Sequence, residues 1–127
     1  MQENHLFEYA VIRVVPRVER EEFINVGVVV FCKKQKFLQT IYTLNKERLL
    51  AIHPHINIEE VEAALQSFER ISAGEKDSGP IGRLDVPSRF RWLTATRSTV
   101  VQSSKVHVGF CKDLPQAVAH LHAQLVL

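Results

Sequence analysis

A chain of 127 residues that is 46% hydrophobic and 24% charged has the make-up of one ordinary domain with a single core, which argues against disorder and against a multidomain array. No apolar run approaches the roughly 20 residues that span a bilayer, and "MQENHLFEYA" lacks the basic start, apolar stretch and small-residue cleavage site of a signal peptide, so a soluble, cytoplasmic protein is expected. The formal charge of +2 hides a local asymmetry: residues 1–82 hold 10 Lys and Arg against 12 Asp and Glu, net −2, whereas residues 83–112 hold 6 against 1, net +5.

From Leu6 to Val15 both alternate sets of residues are largely apolar, the pattern of a strand covered on both sides, with Arg13 as the exception on its face. Residues Val26 to Phe31 repeat that pattern, and "KKQK" offers a polar reversal into "FLQTIYTL", so the two segments read as a hairpin. Asn45 is placed to cap a short helix that Pro54 stops. Asn57, with Glu60 three residues on, caps a longer one whose apolar positions Ile58, Val61, Leu65 and Phe68 recur at helical intervals toward Gly74. The segment "AGEKDSGPIG" has loop composition and is too short to link domains.

Two β-rich stretches follow, Phe90 to Gln102 and Val106 to Phe110. Then comes "CKDLPQAVAHLHAQLVL", where Asp113 caps, Pro115 suits a first helical turn, and Val118, Leu121 and Leu125 form a stripe. The expected order is therefore βββααββα over a single domain, 1–127. Strands grouped with helices rather than alternating with them predict an α+β fold, with a mostly antiparallel sheet of about five strands packed on one face by about three helices.

The stretch "VPRVEREEFINVGVVVF" poses the first functional question, because it sets five ionisable side chains against a buried strand and then places Asn25 and Gly27 inside that strand. In one reading the charges keep a turn soluble, Asn25 hydrogen-bonds its own backbone, and Gly27 permits a bulge or a close backbone approach. In the other, Arg13, Glu22 and Asn25 converge as a polar site, with Glu22 pairing the arginine that an apolar strand would otherwise leave uncompensated.

The basic segment "SRFRWLTATRSTVVQSS" poses the second question. As a strand it places Arg89, Arg91 and Arg97 on one face, with Arg89 and Arg97 roughly 26 Å apart. That is too far for one small anion and suits an extended acidic partner surface, while the density of charge falls short of a nucleic-acid footprint. Arg97, Ser98 and Thr99 together make a local anion or carboxylate site.

Cys32 and Cys111 lie in apolar stretches far from any Cys-x-x-Cys spacing, and read as buried free thiols. The spacings His53-Pro-His55 and His120-x-His122 put neighbouring rings on different faces of a helix, so surface histidines are expected and no metal site. Phosphate-binding loops, nucleophile elbows and zinc-protease motifs are missing, and no cofactor is expected.

Two long segments, "YAVIRVVPRVEREEFINVGVVVF" and "GPIGRLDVPSRFRWLTATRSTVVQSSKVHVGF", closely resemble the small bacterial proteins classed as domain of unknown function 3037. Tyr9, Arg13, Pro16, Glu22, Asn25, Val26 and Gly27 carry the first match. Gly79, Pro80, Ile81, Arg89, Phe90, Trp92, Leu93, Arg97, Ser98, Thr99, Val100, Gln102, His107 and Gly109 carry the second. The resemblance implies no established activity. Because such proteins are commonly encoded beside HipA-type kinase-like proteins, it implies a non-catalytic companion of such a kinase in a two-gene module. The alternative is a small enzyme or nucleic-acid-processing protein that uses the Arg13, Glu22 and Asn25 end together with Arg97, Ser98 and Thr99.

Overall fold

The computed structural model describes residues 4–97 and 99–127. In chain order the elements are β1 (His5–Val14), β2 (Ile24–Cys32), β3 (Phe37–Tyr42), α1 (Lys46–Ile52), α2 (Ile58–Ala73), the single turn α3 (Gly79–Gly82), α4 (Val86–Leu93), β4 (Val101–Ser103), β5 (His107–Cys111) and α5 (Leu114–Leu125). This is an α+β fold, and the five strands form one antiparallel sheet in the order β3-β2-β1, with β4 and β5 both lying along the outer side of β1.

Helix boundaries follow the caps that the sequence announces. Asn45 accepts from the Arg48 amide, Asn57 from Glu60 and Asp113 from Gln116, each three residues downstream, which satisfies one of the amides a helix start leaves open. Gly74 closes α2 at φ 67°, a left-handed conformation that costs glycine little. A fourth cap is not foreseen in the sequence reading: Asp85 accepts from Ser88 and starts α4, which runs into the segment expected to be strand, so among the described residues helices number five where about three were expected, and of Phe90 to Gln102 only Val101 and Gln102 are extended.

The sheet is covered on both faces, whereas helices were expected on one. Ala10, Ile12, Val14, Val29 and Phe31 face α1, α2 and α4, and the Phe31 and Phe90 rings stack at 4.7 Å. Phe7, Val28, Val30 and Cys32 face Leu114 and Val118 of α5. Two-sided cover is what β1 and β2 require, since each is apolar at both alternate sets, and every fully buried aliphatic side chain contributes about 1.5 to 3 kcal/mol.

At Gly27 the sheet departs from regularity. Ile12 pairs with Gly27 and Arg13 with Asn25, so Val26 is an extra residue in β2. The resulting bulge reverses the alternation: Ile24 and Val26 face the helical layer of α1, α2 and α4, as do Val29 and Phe31, while Asn25 turns toward α5. A Cβ at Gly27 would stand 2.7 Å from the Ile41 carbonyl oxygen and 2.8 Å from Tyr42 Cβ, so the close backbone approach expected of this glycine is present together with the bulge.

Along the other side of β1, β4 and β5 behave as one strand interrupted at residues 104–106. There the Ser104 hydroxyl accepts from the Val11 amide at 2.8 Å, standing in for a ladder carbonyl. The interruption lets β5 run on as the outermost strand of the sheet.

Candidate functional site

Arg13, Asn25 and Gln102 form a row across three strands, because Arg13 is the direct partner of Asn25 on β2 and of Gln102 on β4. The row lies on the α5 side of the sheet, at the end of that helix. Asn25 donates its side-chain amide to the Leu125 carbonyl at 3.2 Å, and Gln102 donates to the Thr99 carbonyl at 2.8 Å. The Arg13 guanidinium lies over the Phe23 ring, 4.0 Å from its centroid. Among the described residues, Arg13 Nε and Asn25 Oδ1 are buried without a hydrogen bond.

Glu22 does not join them. It sits in the exposed turn before β2 and pairs with Arg20 at 2.5 Å, as Arg17 pairs with Glu19 at 2.8 Å, so four of the five charges of the turn pair locally. Phe23 takes the place expected for Glu22, and the arginine is covered by an aromatic face instead of a carboxylate. The turn itself borders a groove of about 300 Å³ shared by Arg17, Arg20, Glu22, His53 and His55.

The basic segment is likewise rearranged, because Arg89 and Arg91 stand on a helix and not on a strand. Arg89 turns inward and donates through Nη1 to the carbonyls of Ile71 at 2.9 Å and Ser72 at 3.1 Å, closing the C-terminal end of α2. Arg91 makes a two-pronged contact with Glu8 of β1, both bonds at 3.3 Å. Arg97 stacks its guanidinium 3.9 Å from the Trp92 ring centroid and donates to the Trp92 carbonyl. No shared arginine face exists. Thr99 donates its hydroxyl to the Val101 carbonyl, and Ser98, the third member of the expected anion site, lies outside the described residues.

The six residues of the expected polar site are thus divided. Glu22 lines the groove at the turn, Arg97 and Thr99 line a second groove of about 250 Å³ between α2 and the segment before β4, and Arg13 and Asn25 line neither.

The outer strand was expected as Val106 to Phe110 and is found as β5, but the sequence reading missed that one of its faces is apolar and exposed. Val108 and Phe110 of β5 are 62% and 70% exposed, and Leu6, the direct partner of Phe110 on β1, is 55% exposed. These three share the sheet face that α4 covers farther along, beyond the Arg91–Glu8 pair. The signal lay in the strict alternation "HVGF" beside "HLFEYA", but alternation does not tell which strand faces run past the end of a covering helix. The opposite face of β5 is filled: Gly109 leaves room for Phe7, since a Cβ there would meet the ring at 2.6 Å.

His122 is buried and bonds the Thr43 hydroxyl at 3.0 Å, tying α5 to the end of β3, so the surface position expected for it is corrected while His120 is exposed. Cys32 is buried, and Cys111 is half-buried with its thiol pushed up by burial. Among the described residues no three His, Cys, Asp or Glu gather as a metal site, and no helix is long and apolar enough to cross a membrane.

No curated protein and no solved structure matches the chain. One family does, over residues 9–126, which includes the Arg13–Asn25–Gln102 row, both grooves and the outer strand. The chain therefore belongs to the family described as Protein of unknown function (DUF3037).

Proposed function

We propose that the protein is a non-catalytic binding module whose partner is another protein, received on the outer strand β5. The observation that carries this reading is the row of exposed apolar side chains on one sheet face, Val108 and Phe110 on the edge strand β5 and Leu6 beside them on β1. A free edge offers backbone donors and acceptors to a further strand, and natural proteins ordinarily blunt such an edge with charge or proline. Here the charges Lys105 and Lys112 only flank β5, and its exposed centre is apolar.

Division of the polar candidates supports binding over catalysis. An active site needs its groups within reach of one reacting atom, and Arg13, Glu22 and Arg97 stand at three separate places. The arginines do not favour nucleic acid either, since Arg89 and Arg91 are engaged within the protein. The partner that the family resemblance suggests is a HipA-type kinase-like protein.

Co-expression with the HipA-type kinase-like protein of the same genome tests the reading. The wild-type chain is expected to co-purify, and V108K with F110K is expected to lose the partner while melting at the wild-type temperature, because both side chains are exposed. Equal recovery of the partner by the double variant would overturn the role given to β5.

A further inference from the structure

Between α2 and the segment leading into β4 runs a groove of about 250 Å³. Its floor is apolar: Val61, Ala64 and Phe68 come from successive turns of α2, and Val100 and Val101 lie opposite. One wall is Trp92, which is 37% exposed although it is the chain's single tryptophan and belongs to a helix whose other large apolar side chains, Phe90 and Leu93, are fully buried. At the Trp92 end stands Arg97, with its guanidinium carbon over the indole, 3.9 Å from the ring centroid.

Arg97 is held in place and left with capacity. Of its five N–H donors, the described residues take one, at the Trp92 carbonyl. The contact with the ring face does not use these donors, which remain available to a carboxylate. Partial burial already disfavours the cation, lowering the Arg97 pKa by desolvation, and a bound anion would offset that cost. Glu60 also lines the groove, but among the described residues no carboxylate makes an ion pair with Arg97.

We propose that this groove binds a small aliphatic monocarboxylate, with the carboxylate on the free edge of the Arg97 guanidinium and the chain lying on Ala64 and Phe68 against the Trp92 ring. The volume holds one short acyl chain and not several residues of a peptide. The charge selects an acid over an alcohol, amine or amide of the same length. The site is independent of β5 and of any protein partner.

Trp92 makes the test direct, since it is the single tryptophan and its fluorescence, excited at a wavelength that spares Tyr9 and Tyr42, reports from the groove wall alone. Titration of the full chain with octanoate is expected to give a saturable change, and octanamide at least a tenfold weaker one. R97L is expected to weaken octanoate by tenfold or more, and A64F, which fills the floor without touching the charge, to abolish the response. Circular dichroism melting of both variants establishes that they are folded, and A64F keeps the Arg97–Trp92 stack should R97L disturb it. Equal titration by octanamide, an unchanged response in A64F, or no saturation by octanoate up to millimolar concentration would each overturn the proposal. So would a response confined to an acetylated tripeptide ending in leucine, because the occupant would then be a peptide terminus.

Discussion

The side-chain amide of Asn25 donates to the Leu125 carbonyl at 3.2 Å, joining the bulged start of β2 to the last turn of α5 across 100 residues of chain. The carbonyls of a final helical turn have no partner within the helix, and the negative end of the helix dipole lies there. Replacing Asn25 by Ala is expected to cost about 1 to 2 kcal/mol in urea denaturation, the value of one part-buried hydrogen bond. Asn25→Asp should cost more than Asn25→Ala, because it sets a carboxylate oxygen against a carbonyl oxygen and a second negative charge against the dipole. If Asp proves the milder change, Asn25 does not act as a donor to α5. Hydrogen exchange supplies the local readout, with amides of α5 exchanging faster in either variant.

Gly27 is expected to resist any side chain. Its φ is not positive, so the obstacle is space: a Cβ would lie 2.7 Å from a backbone oxygen, and only movement of β3 away from β2 would relieve it. Gly27→Val should destabilise by about 1 to 3 kcal/mol in chemical denaturation. Gly27→Ala should account for most of that loss, since the first carbon already clashes; an Ala variant as stable as wild type would show that β3 yields.

Much of this fold was legible because its signals are short-range. Asn45, Asn57 and Asp113 each cap through an amide three residues on, and the hairpin of β2 and β3 turns at a run of lysines. Gly27 was legible as a bulge or close approach for the same reason, whereas Asn25 was expected to bond its own backbone and instead reaches the Leu125 carbonyl. Helix α4 was misread because Arg, Phe, Arg and Trp alternate from Arg89 to Trp92 as in a strand, and only the spacing of Phe90 and Leu93, with Asp85 ahead of Pro87, betrays a helix. The partners of Arg13, Arg89 and Arg91 were not legible at all. Each depends on which distant segment arrives beside it: Phe23 across the hairpin turn, the end of α2, and Glu8 on β1.

Asp85 gives a pH-dependent stability of known sign. The hydrogen bonds from Ser88 hold its carboxyl below the usual carboxylate range. A folded-state pKa below the unfolded one means that the charged form is bound to the fold. The stabilisation is complete above the unfolded pKa and disappears as pH falls through the folded value. Asp85→Asn keeps the cap, since asparagine caps as well as aspartate, and removes the titration. Below about pH 4 the melting temperature of wild type should therefore fall more steeply than that of Asp85→Asn, and parallel curves would assign the acid sensitivity to other carboxylates.

Arg89 and Arg91, two residues apart, are expected to differ sharply although both are arginines of the same helix. Arg89 is half-buried and satisfies two carbonyls at the end of α2, and the turn at Gly74 packs against the same guanidinium so closely that a Cβ would stand 2.5 Å from its Nη1. Arg89→Met leaves those carbonyls without the charged donor and should cost about 1.5 to 3 kcal/mol, read from urea midpoints. Arg89→Lys should recover only part of this, because an ammonium on a single stem does not reproduce the planar fork. Arg91 instead makes an exposed ion pair with Glu8, of the kind that contributes about 0 to 1 kcal/mol, and Arg91→Met should melt close to wild type. A charge reversal at both positions would therefore unfold the α2–α4 corner before it tested any acidic partner. Arg91→Glu alone separates the two effects: the fold should survive, and retention of the protein partner by that variant would leave β5 as the docking strand, whereas loss of the partner would extend the interface onto α4.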